Sequence, residues 1–177
     1  MPRKWKASRL RELAGVTFDH RGAAIVGHIL LDTLEENGYS IDDFDAVGAL
    51  TAAAVPLVAR MIQAAASRGE DLDGFVMDFV YPSIKGPSIK GKRVVLLDSW
   101  LSEKSYVQTS SLVTLRNGNE PSLDFGVVEH EGAKVVAIAS LIGGVDMTEP
   151  VIEVVNPVSG ERQELPFVEI YHESELR

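Results

Sequence analysis

The sequence predicts a three-layer α/β domain built on a mainly parallel sheet. Near-continuous apolar runs recur at Asp45–Leu50, Phe75–Val80, Arg93–Asp98 and Lys134–Ile142. Strands buried on both faces of a sheet read this way. Helical stripes alternate with these runs, as in sheets covered by helices. Val151–Val155 and Leu165–Tyr171 flank the turn signal Asn156-Pro157-Val158-Ser159-Gly160, which predicts a C-terminal antiparallel strand pair.

The chain of 177 residues is long enough for a substantial core, and it is read as one domain over 1–177 with its core at about 45–145. It carries 26 acidic and 17 basic residues, a net charge of -9. That balance repels phosphate backbones, so no nucleic-acid partner is expected. There is no cysteine, which removes thiolate nucleophiles and Cys-based zinc sites and suits a cytoplasmic location. The apolar stretch Ala46–Ala59 is interrupted by Thr51 and Pro56 and is too short for a membrane span, so no membrane partner is expected. The basic start (Arg3, Lys4, Lys6, Arg9, Arg11) lacks the apolar core of a signal peptide and reads as a short solvated helix pinned by Trp5, Leu10 and Leu13.

Val26, Ile29, Leu30, Thr33 and Leu34 share one face of a helix over about Gly22–Glu36, stopped by Asn37-Gly38. His28 inside it is a packed or surface histidine. After the Asp45–Leu50 strand, Thr51-Ala52-Ala53-Ala54 turns, and Pro56 fits the first turn of a helix. Leu57, Val58, Met61, Ile62 and Ala65 form that helix's core stripe. Phe75–Val80 is the next strand. Pro82, Gly86, Pro87 and Gly91 make Tyr81–Gly91 a loop.

The Arg93–Asp98 run follows and ends abruptly in an acid. In a parallel sheet it delivers Asp98 to the carboxyl edge, where ligands of open α/β sheets bind. A loop is expected after it. Tyr106–Thr109 and Leu112–Leu115 read as short strands, with Asn117-Gly118 as a turn. Ser122 is placed as the cap of a short helix through Glu131, with Leu123 and Val127 inward and Gly132 as its stop.

Common catalytic motifs are absent: there is no G-x-S-x-G, H-E-x-x-H, P-loop or G-x-G-x-x-G. Glu129-His130-Glu131 reads as a solvated helix end, because adjacent helical side chains point in different directions.

An ordered set of fragments is more specific. Phe18-Asp19-His20-Arg21, then Gly48-Ala49-Leu50-Thr51-Ala52-Ala53-Ala54-Val55-Pro56, Ile84-Lys85-Gly86 and Val94-Val95-Leu96-Leu97-Asp98 resemble the orotate phosphoribosyltransferases. The similarity runs from about Thr17 to about Gly143. It implies the type I phosphoribosyltransferase fold: a parallel sheet with a small hood, in a homodimer. It implies a reaction joining orotate to the ribose of phosphoribosyl pyrophosphate (PRPP), with magnesium. On that pattern Asp98, Ser99 and Ser102 lie at the ribose and phosphate position. Thr51, Ala52 and Ala53 lie at the pyrophosphate turn, and Arg21 belongs to the front segment. Magnesium enters only with bound PRPP; otherwise no cofactor is expected. A phosphorylated small molecule is the ligand class implied.

The chemistry fails to carry over residue by residue. The family's acidic pair falls on Leu97-Asp98 or Asp98-Ser99, and in either case only Asp98 is acidic. Its threonine-threonine-glycine loop, which cradles the 5-phosphate with backbone N–H groups, falls on Ser102-Glu103-Lys104. Glu103 brings a carboxylate to a phosphate, and Lys104 stands where a glycine lets the backbone come close. The mobile loop, between Phe75 and Ile84, contains no Lys, Arg or His to meet departing pyrophosphate. A second register treats Ser99–Arg116 as an insert and sets Asn117–Ser122 at the phosphate position. The expectation is an orotate phosphoribosyltransferase-like protein that is catalytically impaired or inactive and serves as a ligand-binding, regulatory or assembly subunit. The alternative is an active PRPP-using transferase of nucleotide metabolism with a rebuilt phosphate loop.

Overall fold

The computed structural model describes residues 13–78, 83–102, 113–116, 120–123, 126–144, 151–155 and 161–176. Its first long element is α1 (His20–Glu36), which begins two residues before the expected Gly22 because Asp19 caps it. One Asp19 carboxylate oxygen accepts from the backbone N–H groups of Arg21 (3.0 Å) and Gly22 (3.1 Å). Such a cap satisfies donors the helix itself leaves open. The stop falls where Asn37-Gly38 predicts it. Gly38 adopts φ +90°, a conformation that side chains with a Cβ resist.

The next elements are β1 (Ala46–Ala49), α2 (Val55–Ser67) and β2 (Asp73–Asp78). They form a β-α-β unit in which β1 and β2 are parallel, Gly48 lying opposite Phe75. β3 (Ser83–Lys85) pairs antiparallel with β2 and forms an edge. The expected loop over Tyr81–Gly91 is corrected there: Ser83–Lys85 are extended because β2 offers them an open edge. β4 (Arg93–Ser102) lies parallel to β1 on one side and to β7 (Lys134–Gly144) on the other.

β5 (Val113–Arg116) and β6 (Glu120–Leu123) form an antiparallel pair, followed by α3 (Gly126–His130). Ser122 is therefore a strand residue opposite Thr114, not a helix cap, and it is Val128 rather than Val127 that α3 buries. Tyr106–Thr109, Glu103, Lys104 and Asn117–Asn119 lie outside the described residues.

β8 (Val151–Val155) and β9 (Arg162–His172) are the expected antiparallel pair. β9 does more than close the chain. It also runs parallel to β7 and so belongs to the central sheet. Among the described residues the strand order is β3-β2-β1-β4-β7-β9-β8-β6-β5.

Two cores follow from strand alternation. Val47, Ala49, Val95, Leu97, Ala137 and Ala139 face α1 and α2 and meet Leu30, Leu34, Leu57 and Met61. Ala46, Val94, Leu96 and Ile138 face the opposite side with Phe75, Ile89 and Val128. Gly27 lets the two helices touch, since a Cβ there would lie 2.1 Å from the Arg60 carbonyl oxygen. At the amino edge, Arg93 grips Asp45 through its side chain (3.0 Å) and backbone N–H (2.8 Å), tying β4 to β1. Arg93 lowers the Asp45 pKa through these hydrogen bonds. Lys92 pairs with Asp73 beside them. These exposed pairs set register more than they add stability.

Candidate functional site

At the carboxyl edge, β1 runs out into Thr51, whose backbone is still extended (φ -140°, ψ 161°) before the chain turns through Ala52–Ala54 into α2. Thr51 does not use its hydroxyl to cap that turn. The hydroxyl crosses to β4 and donates to Asp98 Oδ1 at 2.9 Å. The same oxygen accepts from the Ser99 backbone N–H at 2.7 Å. Asp98 is only 3 % exposed. Burial pushes its pKa up, partly offset by the bonds from Thr51 and Ser99 and from the Trp100 backbone. A charged carboxylate out of water is costly, and hydrogen bonds to the charged form recover part of that cost.

Asp98, Thr51 and Ser99 are thus brought together, with Ala52 (exposed) and Ala53 (half-buried) directly following Thr51. Arg21 is held elsewhere, on the exposed first turn of α1, 3.7 Å from its own cap residue Asp19. His28 also has a structural partner: its Nδ1 accepts from Arg68 Nε at 3.2 Å, and Arg68 reaches Asp32 at 2.8 Å.

The main departure from the sequence expectation lies just past Asp98. The loop expected there begins as strand instead. β4 continues through Trp100, Leu101 and Ser102, which pair with Ile142, Gly143 and Gly144 of β7. Side-chain alternation breaks at this level. Trp100 packs with the α1/α2 core that holds Leu97, while Leu101 packs with the core that holds Leu96. β7 breaks in step, since Leu141 and Ile142 both face the α1/α2 core. The polar residue opposite Asp98 on β7 is Ser140, fully buried, whose hydroxyl donates to the Ile142 carbonyl at 2.7 Å. The β4–β7 ladder skips the Ser99–Leu141 rung after Asp98–Ser140 and then resumes in the same register; its register shift lies earlier, between Val94 and Val95. An extended, paired backbone keeps its N–H groups in the sheet and does not wrap them around an anion.

The sequence reading missed the acidic residues that join this edge. Glu169 of β9 is in register with Ser140, and one of its carboxylate oxygens is buried with no hydrogen-bond partner among the described residues. Burial raises its pKa, and His172 acts in the opposite direction. A Cβ on Gly143 would collide with that carboxylate, and one on Gly144 would collide with Glu173. These residues lie far apart in sequence and only the strand register unites them. No local pattern announces it. The apolar run Lys134–Ile142 did carry one signal, the lone polar Ser140.

Among the described residues the donor set does not fit magnesium. Asp98 is the one acid within β4, and its Oδ1 already accepts two hydrogen bonds. Among the described residues no group of three potential metal-ligating side chains is present. No helix among them is long and apolar enough to cross a membrane.

The fold and the carboxyl-edge placement of Asp98 define the class: a type I phosphoribosyltransferase fold. Solved structures agree on the fold. Orotate phosphoribosyltransferase of Mycobacterium tuberculosis H37Rv in complex with PRPP superposes with a TM-score of 0.59 at 19% identity, over 93% of this chain and 81% of that one. A phosphoribosyltransferase from Corynebacterium diphtheriae gives 0.60 at 19% identity, over 93% and 82%. In sequence, the chain is 34% identical to the orotate phosphoribosyltransferase of Streptomyces coelicolor over 137 residues, which is 74% of this chain and 65% of that protein. It is 31% identical to that of Tropheryma whipplei (strain Twist) over 143 residues, 77% and 58%. No family model matches. This is an orotate phosphoribosyltransferase-like chain. It spans about two-thirds or less of the length of these curated relatives.

Proposed function

We propose that this chain does not perform phosphoribosyl transfer and serves as an assembly subunit, pairing with itself or with an active relative in the cytoplasm. The observation that supports this best is the continuation of β4 through Ser102. Ser102, the first of the three phosphate-loop positions, is paired with Gly144 of β7 instead of turning toward a 5-phosphate. Asp98 adds to it: its carboxylate is turned inward to Thr51 and Ser99 rather than left open to ribose hydroxyls. The interval from Phe75 to Ile84 supplies no cation for a leaving pyrophosphate.

Developing negative charge on pyrophosphate must be met by preorganised positive charge or N–H donors. Without them the transition state gains little over the ground state. Incubation of the purified protein with orotate, PRPP and magnesium is therefore expected to give no orotidine monophosphate above an enzyme-free control, while an active relative run alongside does. Light scattering on the same sample is expected to give a dimer mass. Product formed in proportion to protein concentration would overturn the reading.

A further inference from the structure

The C-terminal turn Glu173–Leu176 has a role that the Asp98 site does not account for. Trp100 Nε1 donates to Glu173 Oε1 at 2.5 Å, joining positions 73 residues apart. The Glu173 side chain lies over Gly144, where a Cβ would come within 2.6 Å of its carboxylate carbon. Gly144 is the residue opposite Ser102, at the end of the β4 extension. Glu173 therefore spans the last rungs of the β4–β7 ladder, from Trp100 on one strand to Gly144 on the other. The carboxylate is seated by an indole N–H, a charge-assisted bond in a partly buried place.

We propose that Glu173 is an internal carboxylate ligand, and that its seat between Trp100 and Gly144 latches the C-terminal turn onto the sheet and holds residues 100–102 in strand form. The seat takes a small monocarboxylate, and the chain supplies its own. The latch rests on and deepens the reading above, because the same β4 extension carries Ser102, the first phosphate-loop position, into the sheet. The two fail separately. Transferase activity in the unaltered protein would sink that reading and leave the latch untouched.

The latch is tested by chemical rescue on the full chain. Glu173→Ala removes the methylene and carboxylate that acetate can replace. In hydrogen exchange, Glu173→Ala is expected to accelerate amide exchange at Trp100–Ser102 at least tenfold relative to Phe75–Met77. Sodium acetate is expected to restore protection, and sodium chloride at equal ionic strength is not. Trp100→Phe keeps the ring packing and loses the donor. It is expected to show the same loss with no rescue by acetate. Unchanged exchange in Glu173→Ala, or equal recovery with chloride, or rescue of Trp100→Phe, overturns the proposal.

Discussion

Replacing Phe75 by alanine is expected to cost about 3–5 kcal/mol, lowering the melting temperature by about 6–20 °C at the slope usual for a domain of this size. Phe75 is 2 % exposed and belongs to the core that covers the face opposite α1 and α2. Its ring has a second task. It lies directly on Gly48, its partner in the β1–β2 register, where an added Cβ would fall 2.3 Å from ring carbons. Gly48→Ala alone is expected to cost about 1–3 kcal/mol through overpacking. In the Phe75→Ala background the added methyl enters the space the ring vacated. The double variant is then expected to be more stable than the sum of the two single losses by at least about 1 kcal/mol, a coupling typical of residues in contact. Urea unfolding of the four proteins measures it; simple additivity would mean that the ring does not rest on Gly48. The pair matters to the site because Gly48 lies three residues before Thr51 on the strand that aims Thr51 at Asp98.

The central sheet was legible in the sequence because its strands are buried on both faces. Val94-Val95-Leu96-Leu97 packs into two cores at once, so every position must be apolar and the run is continuous. The helices were legible from their stripes, and Asn37-Gly38 from the left-handed backbone it needs. What misled was the acid. A carboxylate at the end of such a run reads as the point where a strand meets solvent. Here Asp98 is buried in mid-strand, and Thr51, 47 residues away, supplies the hydroxyl that makes this tolerable. Ser122 misled for the opposite reason: it is a common cap residue before an apolar run, but its neighbours pair with Val113–Arg116. Asp19 carried a signal that was underused. An aspartate directly before a helical pattern is a cap before it is a site residue. The seats of Glu169 and Glu173 over Gly143-Gly144 exist only once β9 has joined β7, and a one-dimensional reading has no access to that.

The second large effect is expected at Asp98, and it should depend on pH in a definite direction. A carboxyl whose folded pKa is raised holds its proton more tightly in the folded chain. Its stabilising share is complete below its unfolded pKa, the ordinary aspartate value, and is lost as pH rises through the folded one. Asp98→Ala strands two donors, the Thr51 hydroxyl and the Ser99 N–H, beside a new cavity. Near pH 4, the acid end of the range, the variant is expected to be about 2–3 kcal/mol less stable than the parent, or about 4–12 °C in melting temperature. As pH rises through the folded pKa the parent must take up a buried charge, so the gap is expected to shrink. Thr51→Val should trend the other way. It removes a bond that favours the charged carboxylate, so its cost is expected to be small near pH 4 and to grow as pH rises. Thermal melts of the three proteins across that range decide the matter. A gap for Asp98→Ala that widens with pH, or a cost for Thr51→Val that falls with it, would mean that Asp98 is held as a stabilised anion. The sheet would then carry a charge at that level, and burial would not be the dominant influence on Asp98.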